Sequence, residues 1–207
     1  MKIIPTTLAL GLLTAAAAQA QAQTLQGTTY LRINAGNISY TQRAEDNFRS
    51  ISGTLLPAAG RFVATNFLVG AEVPLGYSHY RYEYIFSGTI GSDEKVSVSD
   101  VTFGVSPFVR YYLPGAGSHR LFGQISGSLG WLRNRQQNTY SGRYETKRER
   151  TIDYQEYGAG LGYNYFITPS AALELTAGYK RSTLGPDRTN GNLDVQAGFA
   201  LLLPSTK

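Results

Sequence analysis

From Val101 to Leu113 the chain alternates. Val101, Phe103, Val105, Val109, Tyr111 and Leu113 share one face, and Thr102, Gly104, Ser106, Arg110 and Tyr112 share the other. A period of two over this length predicts a β-strand with one apolar face. The same pattern recurs downstream. Leu121, Ile125, Leu129 and Trp131 oppose Gln124, Ser126 and Ser128; Tyr157, Leu161, Tyr163, Tyr165 and Ile167 oppose Glu156, Gly158, Gly160 and Asn164. Leu173, Leu175 and Tyr179 oppose Glu174, Thr176 and Lys180, and Leu193, Val195, Ala197, Phe199, Leu201 and Leu203 oppose Asp194, Gln196 and Gly198. Upstream, Val63, Phe67, Val69, Ala71 and Val73 oppose Asn66, Gly70 and Glu72, and Tyr80, Tyr82, Tyr84 and Phe86 oppose His79, Arg81 and Glu83. Leu31, Ile33 and Ala35 oppose Arg32 and Asn34, after which Ile38 and Tyr40 change parity, so a bulge is expected near Gly36-Asn37. Eight strands are predicted.

Between them, short connections carrying proline (Pro74–Gly76, Pro114–Ser118, Thr168–Ser170) alternate with mostly longer ones at Thr41–Gly60, Gly91–Lys95, Asn134–Arg150 and Gly185–Gly191. Short turns at one end and long loops at the other are the plan of an up-and-down barrel in an outer membrane.

The N-terminus sharpens this. Lys2, an apolar stretch from Ile3 to Ala18, and Ala18-Gln19-Ala20 predict a signal peptide over residues 1–20, cleaved after Ala20 or Ala22. Residues 21–207 are then expected to form one all-β domain. No later run reaches the ~18 apolar residues of a membrane helix. With no cysteine in the chain, a disulfide framework is excluded.

Strand alternation is shared with soluble lipocalin-like barrels, so the faces must be oriented by their contents. The polar face carries Arg32, Arg81, Arg110 and Lys180 against Glu72, Glu83, Glu156, Glu174 and Asp194. This near-balance within strands predicts a lumen charge network of mutually paired side chains. Segments of 12 residues or more exceed the ~9–11 residues that cross a bilayer. On the apolar face Tyr111, Tyr163 and Tyr165 gather toward the turn end and Trp131, Tyr179 and Tyr84 toward the loop end, as two aromatic girdles would. The expected fold is an all-β, eight-stranded antiparallel transmembrane up-and-down β-barrel after a cleaved signal peptide.

In pattern, the whole mature chain resembles the small outer-membrane β-barrel domains of the OmpA/OmpX-like kind, particularly those of Bacteroidota. Its last strand carries the sharpest part of the likeness, with Gln196, Gly198, Leu201 and Leu203 in the spacing polar-x-Gly-x-x-apolar-x-apolar. The resemblance implies recognition by the barrel-assembly machinery of a Gram-negative cell, although Pro204 to Lys207 follow where the family ends on an aromatic residue.

Little in the chain points to catalysis. His79 and His119 are the two histidines, and neither falls in a metal-ligand or Ser/His/Asp spacing. No catalytic residue, metal or cofactor is expected. Arg133, Arg135, Arg143, Lys147, Arg148 and Arg150 against Glu145 and Glu149 leave one predicted extracellular loop at net +4. The full chain carries +5, of which Lys2 belongs to the signal segment. The expected function is therefore an integral outer-membrane barrel with a structural or surface-interaction role. Its expected partners are outer-membrane lipids, lipopolysaccharide among them, and not nucleic acid. A narrow channel, a lipid-modifying barrel enzyme and a soluble ligand-binding barrel are the alternatives.

Overall fold

The computed structural model describes residues 24–44, 47–84, 94–115, 117–140, 144–185 and 188–205. The signal-peptide segment, Phe86 and Arg143 lie outside them. Nine strands follow in order: β1 (Thr29–Arg43), β2 (Phe48–Ala64), β3 (Phe67–Glu72), β4 (Leu75–Tyr84), β5 (Glu94–Tyr112), β6 (His119–Tyr140), β7 (Tyr144–Thr168), β8 (Ala171–Leu184) and β9 (Arg188–Leu203). Every pairing is antiparallel, and β9 pairs with β1 from Thr29↔Leu203 to Gly36↔Gln196, so the sheet closes on itself. β3 and β4 are two halves of one stave: both lie between β2 and β5, separated only at Val73-Pro74. Pro74 has no N–H for the ladder, which accounts for the break. The result is an eight-staved barrel.

The stave count matches the expectation through two compensating differences. Residues 48–60, expected as loop, belong to β2, where outward Ile51 and Leu55 alternate with Gly53, Pro57 and Ala59 while Leu56 and Ala58 face in, so the two faces differ little. The expected strand over Val63–Val73 instead contains a turn at Thr65-Asn66, where Asn66 adopts φ 65°. Its second half continues past Pro74 into β4. The bulge falls where parity predicts, between Gly36 and Ser39, with Asn37 at φ 53°. The basic segment expected as a loop is mostly paired strand, since β6 and β7 run together to Tyr140↔Tyr144.

Polarity is reversed relative to a soluble barrel. Leu121 is 55 % exposed, and Val109, Ile125, Leu129, Leu161 and Leu175 are exposed beside it, while Arg110 and Glu174 are 1 % and 2 % exposed inside. At the short-turn end the interior is closed by Phe62, Leu68, Tyr112, Phe122, Phe166 and Leu202. Residues 24–28 fold beneath this floor. Asn66 N–H donates to Thr24 O (2.8 Å), Gly27 N–H to Phe62 O (2.8 Å), and Arg120 Nη2 to Thr24 Oγ1 (2.7 Å).

Candidate functional site

The inward positions of β1, β3, β5 and β8 bring four predicted charges together. Glu174 receives Arg110 through Nη1–Oε2 (2.8 Å) and Nη2–Oε1 (3.0 Å), and Arg32 through Nη1–Oε1 (2.9 Å). Arg32 also pairs with Glu72. Residues not singled out from the sequence complete the shell: Tyr30 Oη donates to Glu174 Oε2 (2.7 Å), Asn164 Nδ2 reaches the same oxygen (3.3 Å), and Gln124 accepts from Arg110 Nη2 (2.7 Å). Arg110 further lies 3.7 Å above the Phe122 ring centroid, a cation–π contact. Buried charges cost several kcal/mol unless they are paired and hydrogen-bonded, and these partners supply that. Their signal in the sequence is the alternation itself, which places Asn34, Tyr112, Gln124 and Asn164 on the same face as Arg110.

Toward the loop end a second group forms. Lys180 Nζ bridges Glu156 (3.4 Å) and Asp194 (3.1 Å). Beyond it the lumen opens into a cavity of about 380 Å³, lined by Leu56, Leu132, Tyr154, Lys180, Ser182 and Asp194 among others.

Arg81 and Glu83, expected in the lumen, face outward instead. Because Val73-Pro74 does not change the parity of the stave, Phe67, Val69, Leu75, Tyr77, His79, Arg81 and Glu83 all share the outer side. Tyr80 and Tyr82 turn inward, opposite buried Val98 and Val96. Tyr-rich alternation is ambiguous here, since a tyrosine suits either face near a rim. Arg81 Nη2 and Lys95 Nζ both hold Glu83 Oε1, at 3.0 and 3.3 Å, and Lys95 followed by Arg81 keeps that carboxyl below its usual range.

These residues belong to an outer basic rim. Arg133 and Arg135 follow Trp131 on the outward side of β6, and Lys147 lies on the matching face of β7. Arg81 follows Tyr77, and Arg181 follows Tyr179. Arg148 and Arg150 have the opposite parity and face the hairpin's inner side. Glu149 accepts from Arg133 Nε and Arg135 Nη2; the Arg133 bond, with Arg135 adding to it, holds its carboxyl below the usual range. Arg49 stands directly across from Arg81. Like charges in that relation repel, and Arg49 and Arg181 have no carboxylate partner among the described residues. An anion between Arg49 and Arg81 would relieve the repulsion.

Elsewhere, His79 Nδ1 lies 2.9 Å from Ser99 Oγ, and His119 contacts Tyr163 Oη and stacks on that ring. In β9 Gln196 and Gly198 face the lumen, and Leu203 faces out.

No protein-family model matches the chain, and no curated protein sequence matches it. Solved structures with a similar course include Ail, the attachment invasion locus protein of Yersinia pestis (15 % identity, 86 % of this chain and 100 % of that one, TM-score 0.42). The Neisserial surface protein A gives 14 % identity over 87 % of this chain and 100 % of its own, with a TM-score of 0.39. A major outer membrane protein of Thermus thermophilus gives 11 % identity, 85 % and 99 % coverage, and a TM-score of 0.47.

Proposed function

We propose that this protein is an integral outer-membrane β-barrel with a structural and surface-interaction role, without catalysis, whose basic rim holds the phosphates of lipopolysaccharide. The observation that carries the membrane reading is the reversed polarity: Leu121, Ile125, Leu161 and Leu175 stand outside while Arg32, Glu72, Arg110 and Glu174 are enclosed. In water such an exterior is a large unsatisfied apolar surface; in lipid it is the required one. Rim cations just beyond Trp131 and Tyr179 then lie at the level of the head groups. Each contributes about 1 kcal/mol near an anionic surface, falling off within a Debye length.

Two measurements test this. The protein should fractionate with outer membranes and migrate faster on a gel when unheated; recovery in the soluble fraction overturns the reading. Arg133→Gln, Arg135→Gln and Lys147→Gln together should clearly weaken salt-sensitive binding to lipopolysaccharide-coated surfaces, whereas Arg148→Gln with Arg150→Gln, on the inner side, should leave most of it. Equal binding by wild type and the outer triple variant at low and high salt would remove the lipopolysaccharide part alone.

A further inference from the structure

The barrel wall is incomplete on one side. β1 and β9 pair only as far as Gly36↔Gln196, although β1 continues to Arg43 and β9 begins at Arg188. Above that point each keeps its other neighbour: β1 stays with β2 and β9 with β8. The bulge at Asn37 turns β1 away, and a seam opens between residues 37–43 and 188–195. Its height follows from the ionic core. Gln124 and Arg32 both belong to that core, and seven residues beyond them lie Trp131 on β6 and Ser39 on β1. The seam therefore begins at or just below the aromatic level, beneath the basic rim.

Three observations tie this seam to the lumen. The most exposed large apolar side chains among the described residues are Leu193 at 84 % and Ile38 at 77 %, and they flank it. Leu193, an outward residue, and Asn37 both line the 380 Å³ cavity, so the strands that flank the seam form part of its wall. Asp194 Oδ1 is buried without a hydrogen-bond partner and lies 3.8 Å from where a β-carbon on Gly36 would stand, at the edge of the seam; Tyr154 Oη in the same cavity is also unpartnered. Asp194 Oδ2 is occupied by Lys180 and Gln196.

We infer that the cavity is a binding site for a single-chain amphiphile with an amine head, entering sideways from the outer leaflet between β1 and β9. Asp194 Oδ1 accepts a hydrogen bond from the head. Among the charges lining the cavity, Glu156 and Asp194 outnumber Lys180, which favours a cation over a carboxylate. The alkyl chain lies along Leu56, Leu132, Leu184 and Leu193. The volume falls in the range of small-molecule sites. This goes beyond the surface role above and does not depend on the rim binding lipopolysaccharide.

The test uses the full barrel in phospholipid nanodiscs and dodecylamine carrying a terminal diazirine. On illumination, cross-links mapped by mass spectrometry should concentrate on cavity and seam residues. Unlabelled dodecylamine should compete and dodecanoate should not. Asp194→Asn should lower labelling about tenfold, because its amide oxygen still accepts a hydrogen bond but no longer pairs with the ammonium charge. Because Asp194 also holds Lys180, Thr102→Phe serves as a second variant. It puts an aromatic ring into the cavity, leaves the charges in place, and should lower labelling while keeping heat-dependent gel migration. Labels spread evenly over outward residues such as Ile125 and Leu161, equal competition by dodecanoate, or wild-type labelling of Thr102→Phe would each overturn the proposal.

Discussion

Arg110 and Glu174 meet side by side in the enclosed lumen, two nitrogens on two oxygens at 2.8 and 3.0 Å, in the fork that matches a guanidinium to a carboxylate. Every other member of the ionic core touches one of them or a direct neighbour. Substituting Glu174→Gln should therefore leave Arg110 and Arg32 short of an anion and destabilise the barrel by about 3–5 kcal/mol. Adding Arg110→Met to it should recover part of the loss, because the unpaired cation is removed. Urea unfolding in lipid vesicles, followed by tryptophan emission and gel shift, measures both. A double variant less stable than the sum of the singles would contradict the pairing.

The floor beneath this core sets a second expectation. Phe62, Leu68, Phe122, Phe166 and Leu202 fill the lumen at the short-turn end, and layers of paired charges stand above them. Purified protein in a planar bilayer should pass little or no steady current. Large, stable single-channel steps would require the floor to move.

Gly162 is where the floor is most tightly fitted. A β-carbon there would fall within the ring of Phe122, which in turn supports Arg110. Gly162→Ala should cost about 1–3 kcal/mol through overpacking. Pairing it with Phe122→Leu should restore much of that stability, although the cation–π contact is lost. If Gly162→Ala alone unfolds at the same urea concentration as wild type, Phe122 has room that the geometry denies it.

On the rim, Glu149 occupies two cations that a phosphate would otherwise use. Glu149→Gln should strengthen lipopolysaccharide binding at neutral pH and steepen its salt dependence. The Glu149 carboxyl should titrate below the ordinary value of about 4.3, held there by Arg133 and then Arg135. With a depressed value in the folded state, the pair contributes at neutral pH and is lost as pH falls through that value. A carbon-detected NMR titration of the side chain reads this directly; a midpoint at or above the ordinary value would mean the ion pairs do not form in solution.

Much of this barrel is legible as alternation. β5, β6, β7, β8 and β9 bury one parity and expose the other over many residues, and the inward set names Arg110, Glu174 and Lys180 without further help. Legibility fails where that contrast weakens. In β2, outward Ile51 and Leu55 alternate with outward Gly53, Pro57 and Ala59 while Leu56 and Ala58 face in, so the contrast between faces that announces a strand is weak. In β4, past the apolar band, outward Arg81 and inward Tyr80 reverse the usual reading, since a rim has water on both sides. The gap between β1 and β9 has no signature in the sequence. Parity locates the bulge at Asn37, but which neighbour a bulged strand leaves is decided by pairing across the closed sheet.

The strap formed by residues 24–28 is built from contacts that the chain cannot make early. Thr24 is held by Asn66 and by Arg120, from the β2–β3 turn and from β6, while β1, just after the strap, must find β9 at the other end of the chain. The strap can engage fully only when distant staves already stand side by side. It behaves as a latch thrown after the door is shut, and its amide protons report whether a newly made barrel has finished closing.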